Sequence, residues 1–436
     1  MAKKKTPTLK KSAAKKPVKV ASKSSSKTIS KKAAPAKKPA APRTSAPTLA
    51  LPPHRFAHPF YTTLPKQNRK SVPGVGKSMS AYAATKLEPI PAPLRDPTMT
   101  LADIIGATGA SAVQASKSIT FHAVGDTGTL GTAVQQFVSD AMSTEYDPAN
   151  PDSSPAFFLH LGDVIYYDNT DKGYQEQFYV PYKKYPGKII AIPGNHDGEL
   201  FKFDGTPTGQ STTLGAFMEN FCQPTAAVPS AAGTIYRQMV SQPGVYWMLD
   251  APFVDIIGLY SNIGESLGFI SSPDIGQSQK DWFVKTLKAI KTSRAKGTRK
   301  GLVFAMHHPP FSAGGHGPSS AMLADIDDAC NQAGIMPDLV LAAHAHNYQR
   351  YTRFVSFGGN QLQIPYIVAG SGGRTSQAIT AADGTRTGDE SFESSLFGYG
   401  YLTIIATASD MTIHFTQVDK GTGASSPFDH TIVNFT

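Results

Sequence analysis

From Ser118 onward, short apolar β-prone runs alternate with helical stretches, and most of those runs end in a tight group of polar side chains. The runs are "ITFHAVGD", "AFFLHLGD", "KIIAIPGNHD", "VDIIGLYS", "GLVFAMHHP" and "DLVLAAHAH". Helical segments are predicted between them at "LGTAVQQFVSDAM", "YQEQFYVPYKK", "SQKDWFVKTLKAIK" and "AMLADIDDACNQAG". Near-continuous apolar runs of this length suit strands buried on both faces, so the alternation predicts an α/β core. Towards the C-terminus "YIVAGSGG", "GYLTIIATASD" and "MTIHFTQVD" read as antiparallel strands.

The N-terminal part has a different composition. Of the 42 Lys and Arg, 21 fall within residues 1–87, where no Asp or Glu occurs; the remainder sets 21 basic against all 32 acidic residues. A basic tail is attached to an acidic body. Residues 1–48 are Lys-, Ala-, Ser- and Pro-rich, self-repelling and poor in large apolar groups, and are expected to be disordered. Such a tail either attracts nucleic acid and other polyanions through counterion release or simply solubilises the chain. Residues 49–117 are predicted to be a Pro-rich linker with little regular structure, apart from a short helix near Thr98–Ile105 capped by Thr98 or Thr100. Residues 118–436 form the expected catalytic domain.

Composition excludes several classes. Two cysteines, Cys222 and Cys330, cannot build a disulfide framework or a thiolate zinc site, and two buried free thiols are expected. No apolar run is long enough to span a membrane. The N-terminus has neither the apolar segment of a secretory leader nor a twin arginine, which favours a cytoplasmic location over export. Oligomeric state is not encoded in any pattern of this sequence.

The polar groups at the strand ends carry the chemistry. Ligand sites of α/β sheets form beyond the carboxyl ends of the strands. Five strands end in potential metal ligands: Asp126 in "GDTG", Asp163 and Tyr166 in "GDVIYY", Asn195 and His196 in "GNHDG", His307 and His308 in "MHHPPFS", and His344 and His346 in "AHAHNYQR". Of the 12 histidines, five fall in these groups, which a scatter of satisfied core histidines does not explain. Carboxylate, amide, imidazole and phenol donors without thiolate suit iron, manganese or zinc. Seven such donors exceed the needs of one ion and suit two that share a carboxylate, an arrangement able to clamp both oxygens of a phosphoryl transfer. Taken alone, Asp126-Thr127-Gly128 also allows an aspartic protease motif or a phosphate-cradling turn. The protease reading requires a second Asp-Thr/Ser-Gly, or a short chain that dimerises, and leaves the histidines unused.

The ordered set of motifs over residues 118–436 resembles the calcineurin-like metallophosphoesterase superfamily, and within it is most similar to the purple acid phosphatases. That resemblance implies a β-sandwich flanked by helices on both faces (α/β/β/α). It also implies a first metal, Fe(III), held by Asp126, Tyr166 and His346, and a second, divalent ion (Fe, Zn or Mn) held by Asn195, His307 and His344. Asp163 would bridge the two. Most superfamily members carry a His two residues after the first Asp; here that position is Gly128, and Tyr166 supplies a donor instead, as in purple acid phosphatases. The GDxxY spacing selects Tyr166 over Tyr167. His196 is expected to be catalytic, assisting the leaving oxygen, and His308 and His316 to face the substrate, a small phosphorylated molecule. Ala343 departs from the Gly usual in the last motif without removing a ligand. The implied activity is phosphomonoester hydrolysis of the acid phosphatase type, by hydroxide attack on phosphorus. The alternatives are a metallophosphodiesterase acting on cyclic nucleotides or lipids and a polyanion-binding protein acting through its basic tail.

Overall fold

Successive residues of the core strands feed different apolar clusters, and this settles how the chain layers. In the computed structural model, Ile119, Phe121 and Ala123 belong to a central cluster, whereas Val124 belongs to an outer one. Leu159 and Ile190 point inward, and their neighbours Phe158, Ile189 and Ala191 point outward. This two-residue period is what a strand covered on both faces requires.

The structure describes residues 87–436, except 132, 148, 150–153, 203, 265–266, 298 and 436, together with the backbone of 56–57 and 59–62. Two sheets are present among these residues. The first has the order β1 (Phe56–Ala57), β17 (Ser425–Asn434), β16 (Asp410–Val418), β15 (Tyr399–Thr407), β4 (Ser118–Val124), β5 (Phe157–His160) and β6 (Lys188–Ala191). One half of the second runs β13 (Arg386–Thr387), β14 (Glu390–Leu396), β11 (Tyr348–Phe357), β2 (Pro59–Thr62) and β12 (Asn360–Ala369). It continues through β10 (Leu339–Ala342), β9 (Gly301–Ala305), β8 (Val254–Gly258), β7 (Trp247–Asp250) and β3 (Thr98–Thr100). Strands β4, β5 and β6 are parallel, as are β8, β9 and β10, so the carboxyl ends within each trio lie side by side.

The helices are α1 (Leu101–Ser116), α2 (Val134–Ser143), α3 (Asp171–Tyr174), α4 (Asn195–Gly198), α5 (Gly215–Phe221), α6 (Ser278–Ala295) and α7 (Ser320–Ala333). Phe121, Leu159 and Ile404 of the first sheet share the central cluster with Trp247, Val303 and Leu341 of the second. The outer face of the first sheet is covered by α2, α5 and the aromatic segment around Phe178 and Tyr182. Phe283 and Leu287 of α6 and Met322 and Ile326 of α7 cover the other. The result is the α/β/β/α sandwich flanked by helices. Helix α7 shows why its ends fall where they do. Ser319 Oγ accepts from Met322 N, and Gly334 takes the left-handed conformation (φ 70°) that stops the helix.

The linker expected over residues 49–117 is corrected. Strands β1, β2 and β3 join the sheets, and α1 runs well beyond the short helix expected near Thr98–Ile105. Asp103 Oδ2 accepts from Thr100 N at 2.7 Å, and Leu101 and Ile104 are buried in the central cluster. Gly106 (φ 78°) breaks the helical path and hides the pattern from sequence reading. The tail expected over residues 1–48 lies outside the described residues. Both cysteines are free and buried. No described helix is long and apolar enough to cross a membrane.

Candidate metal centre

Each candidate ligand stands just beyond the carboxyl end of a core strand. Asp126 follows β4, Asp163 and Tyr166 follow β5, and Asn195 follows β6; His307 follows β9, and His344 and His346 follow β10. All seven side chains are buried. Asp126, Asp163 and His344 hold left-handed backbones (φ 54°, 52° and 68°). For non-glycine residues this costs about 1–3 kcal/mol each and persists where the surroundings enforce it, commonly at functional sites.

The seven side chains converge, and their shortest contacts fall into two sets. Tyr166 Oη donates to Asp126 Oδ1 at 2.9 Å and lies 3.1 Å from His346 Nε2, which is 3.6 Å from the same Asp126 oxygen. In the second set, Asn195 Oδ1 lies 3.1 Å from His307 Nε2 and 3.0 Å from His344 Nδ1, and those two nitrogens are 3.3 Å apart. Asp163 Oδ2 is 3.3 Å from His307 Nε2, and His307 Nε2 is 3.9 Å from Asp126 Oδ1, which links the sets.

This donor set fits cations. Asp163 Oδ2 is buried yet accepts no well-formed hydrogen bond, and Asn195 Nδ2 donates none. A buried carboxylate oxygen left this way is costly unless a positive charge faces it. Donor atoms of Asp163, His307 and His344 all lie within 4.8 Å of one another. His307 Nδ1 donates to Leu161 O (2.9 Å) and His346 Nδ1 to Thr375 O (3.1 Å). Both rings therefore turn Nε2 towards the cluster, the outer-shell pattern that orients ligand imidazoles.

The electrostatics show what the protein does without a cation. Burial, reinforced by Asp163, pushes the Asp126 carboxyl up to about 7 against the pull of His307. Burial opposes charge on His307 too, but Asp163 and Asp126 raise it to about 9. Asp163 stays ionised: burial works against its charge, yet His307 and His196 hold its carboxyl well below the usual range. The metal-free cluster is thus built around an Asp163–His307 ion pair. Burial, aided by the nearby His316 and His196 and opposed by Asp163, takes His346 down to about 3, keeping it a neutral donor.

The turns around the cluster are tight. A Cβ on Gly128 would lie 2.7 Å from Ile165 Cα and 2.8 Å from Val164 O, so any side chain there must displace that backbone. One on Gly194 would meet Asp163 Oδ1 at 2.1 Å. Asp197 accepts from Gly194 N (2.8 Å) and from Val164 N (3.1 Å), tying the third motif to the second. Thr127 serves its turn by pairing with His160 Nε2 at 2.8 Å, and His160 Nδ1 accepts from Gly162 N.

His196, in α4, packs 4.5 Å from the Tyr166 ring, and its Nδ1 lies 2.8 Å from Glu199 Oε2. His316 reaches over the cluster from its Gly-rich loop, ring to ring 4.1 Å from His344. His308 is different. Its Nδ1 pairs with Ser261 Oγ at 2.7 Å and its Nε2 contacts Gly264 O, so neither nitrogen is left for a substrate. It braces the His344 ring, 4.4 Å away, and the expectation that it faces the substrate is corrected. Sequence reading passed over Glu199, Asp197 and Arg374. Asp197 is the last residue of the GNHD motif and Glu199 stands two beyond it, close enough to have been weighed with it. Arg374 lies in a Gly/Ser-rich loop after β12 with no motif to mark it.

Residues 119–348, more than half of the chain, match the calcineurin-like phosphoesterase family, and the chain belongs to that family. Among solved structures it is similar to GAP50, the anchor in the inner membrane complex of Plasmodium, at TM-score 0.45 and 13% identity, over 72% of this chain and 89% of that one. It is also similar to PhoD (TM-score 0.45, 13% identity, 79% and 71% covered). A dimetal phosphatase from Danio rerio follows at TM-score 0.43 and 10% identity, with 73% and 99% covered. No curated protein matches the chain in sequence.

Proposed function

We propose that this phosphoesterase hydrolyses phosphomonoesters at a two-metal centre of the purple acid phosphatase type. The observation that carries the reading is the division of the buried donors into an Asp126–Tyr166–His346 set and an Asn195–His307–His344 set, with Asp163 beside them. The first set would hold Fe(III), for which a hard phenolate oxygen is suited; the second would hold a divalent ion, with Asp163 shared. When bound, such ions lower the pKa of water and neutralise charge on phosphoryl oxygens.

The chain's own residues supply the rest. Glu199 engages His196 Nδ1 and orients the imidazole, whose Nε2 would carry a proton to the departing alkoxide. Tyr166 packs against that imidazole at a tilt and limits its rotation. His316, half-buried at the mouth, would contact the phosphoryl group or its ester.

The test is hydrolysis of an aryl phosphate monoester and the matching diester by the full chain over a range of pH. Faster monoester cleavage, abolished by Asp163→Ala and by chelation, is expected. Preferential diester cleavage would replace this reading with a phosphodiesterase, and failure to cleave either would remove it.

A further inference from the structure

Arg374 is the residue of this centre that no motif announces. It sits in the loop after β12, where its backbone N donates to Asp126 O at 2.9 Å and so fixes it to the first cluster residue. Its guanidinium carbon lies 4.1 Å from the Tyr166 ring centroid and 5.3 Å from that of Tyr167. Contact with two rings inclined at 66° to each other restricts where the guanidinium can sit. Tyr167 is held for this with a left-handed backbone (φ 61°) and a ring left 38% exposed, both unusual for a large aromatic residue.

What the guanidinium does not do is equally informative. Arg294, Arg299, Arg350 and Arg353 each close on a carboxylate: Asp338 for the first two, then Asp429 and Asp327. Among the described residues the Arg374 side chain makes no hydrogen bond and no ion pair; its contacts are the two rings. A half-buried, restrained cation beside a metal-ligand cluster, with its N–H donors unspent on protein, is built to receive an anion.

We infer that Arg374 is a substrate-binding residue that grips the non-bridging oxygens of a dianionic phosphoryl group at the mouth of the centre. The inference rests on the phosphomonoesterase reading for its substrate, but phosphate binding itself can be read without turnover. A planar fork gives two parallel charge-assisted bonds to a phosphoryl group, and a dianionic monoester attracts it more strongly than a monoanionic diester. Arg374 therefore also favours monoesters over diesters. His196 packs on the same Tyr166 ring, so both groups would approach one phosphoryl group from the Tyr166 side.

The experiment is calorimetric titration of the metal-loaded full chain with inorganic phosphate, for wild type, Arg374→Ala, Arg374→Gln and Arg374→Lys, with metal content measured on each sample. The Ala and Gln variants should bind phosphate weaker by on the order of tenfold or more, as loss of a bidentate charged pair implies. The Lys variant should fall between, and added guanidinium ion should restore part of the affinity of the Ala variant. In turnover, KM for the monoester should rise more than kcat falls. Wild-type phosphate affinity in the Gln variant would overturn the inference, as would a loss of affinity that tracks loss of metal. A wild type that binds phosphate through Arg374 yet cleaves no monoester would sink the functional reading and leave this one standing.

Discussion

At Gly128 the space around one backbone atom decides the ligand set. Replacing it by Ala forces a Cβ against Ile165 Cα and Val164 O and must displace the turn that carries Tyr166. Gly128→Ala is expected to cost about 1–3 kcal/mol, measured by denaturant unfolding, and to weaken metal retention. His196 belongs to neither donor set, although its backbone N donates to Asp163 Oδ1. His196→Ala should keep the metals and lower kcat by roughly 10²–10⁴-fold; loss of metal in that variant would contradict the role assigned to it. The ionisation of the cluster sets a further expectation. With Asp126 near 7 and His307 near 9, both carry protons in slightly acidic solution and must release them when a cation binds. Metal uptake should therefore acidify a weakly buffered sample, and affinity should fall steeply as pH drops below about 7. All seven candidate ligands were legible in the sequence because strand-end position and residue type coincide there. Arg374 was not, since a lone charged side chain in a loop gains meaning only from what it faces.

The strands were legible for a physical reason and the misses have one too. Runs such as "FFLH", "VDIIG" and "LVLA" are apolar on both faces because both faces are covered, and each forms a strand. Strand β17 ("SSPFDHTIVN") escaped notice because Pro427 interrupts it and polar residues alternate along it, as suits a strand beside the short edge strand β1. Helix α1 was concealed by Gly106 and Gly109, yet Leu101 and Ile104 anchor it in the central cluster. Ile104→Ala should cost about 2–5 kcal/mol in urea unfolding; a cost near zero would return this segment to the status of a linker. The loop after β12 was missed as well. It closes over the cluster through Gly372 N to Gly125 O and Gln377 Oε1 from His346 N, contacts that only the folded chain brings together.

Across the whole molecule, charge is divided between an all-basic N-terminal region and an acidic body. Removing residues 1–48 should leave hydrolysis of small monoesters unchanged, and should abolish any salt-sensitive binding to duplex DNA in a mobility-shift assay. The body itself is tied by buried ion pairs. Burial alone would raise Asp338 and Asp429, but Arg294 and Arg299 hold the first, and Arg350 the second, below their ordinary values. Carboxyls depressed in the folded state contribute stability that is present above their unfolded value of about 3.9 and lost as pH falls through the lower folded values. Thermal unfolding should accordingly lose stability below about pH 4, and Asp429→Asn should flatten part of that loss. The central claim, a two-metal centre with a tyrosinate-bound iron, is tested most directly by metal quantification and visible absorption on one sample. About two ions per chain, one of them iron, with a purple band that vanishes in Tyr166→Phe, is the expected result. A colourless protein holding only zinc or manganese, or a band that survives in Tyr166→Phe, would contradict it.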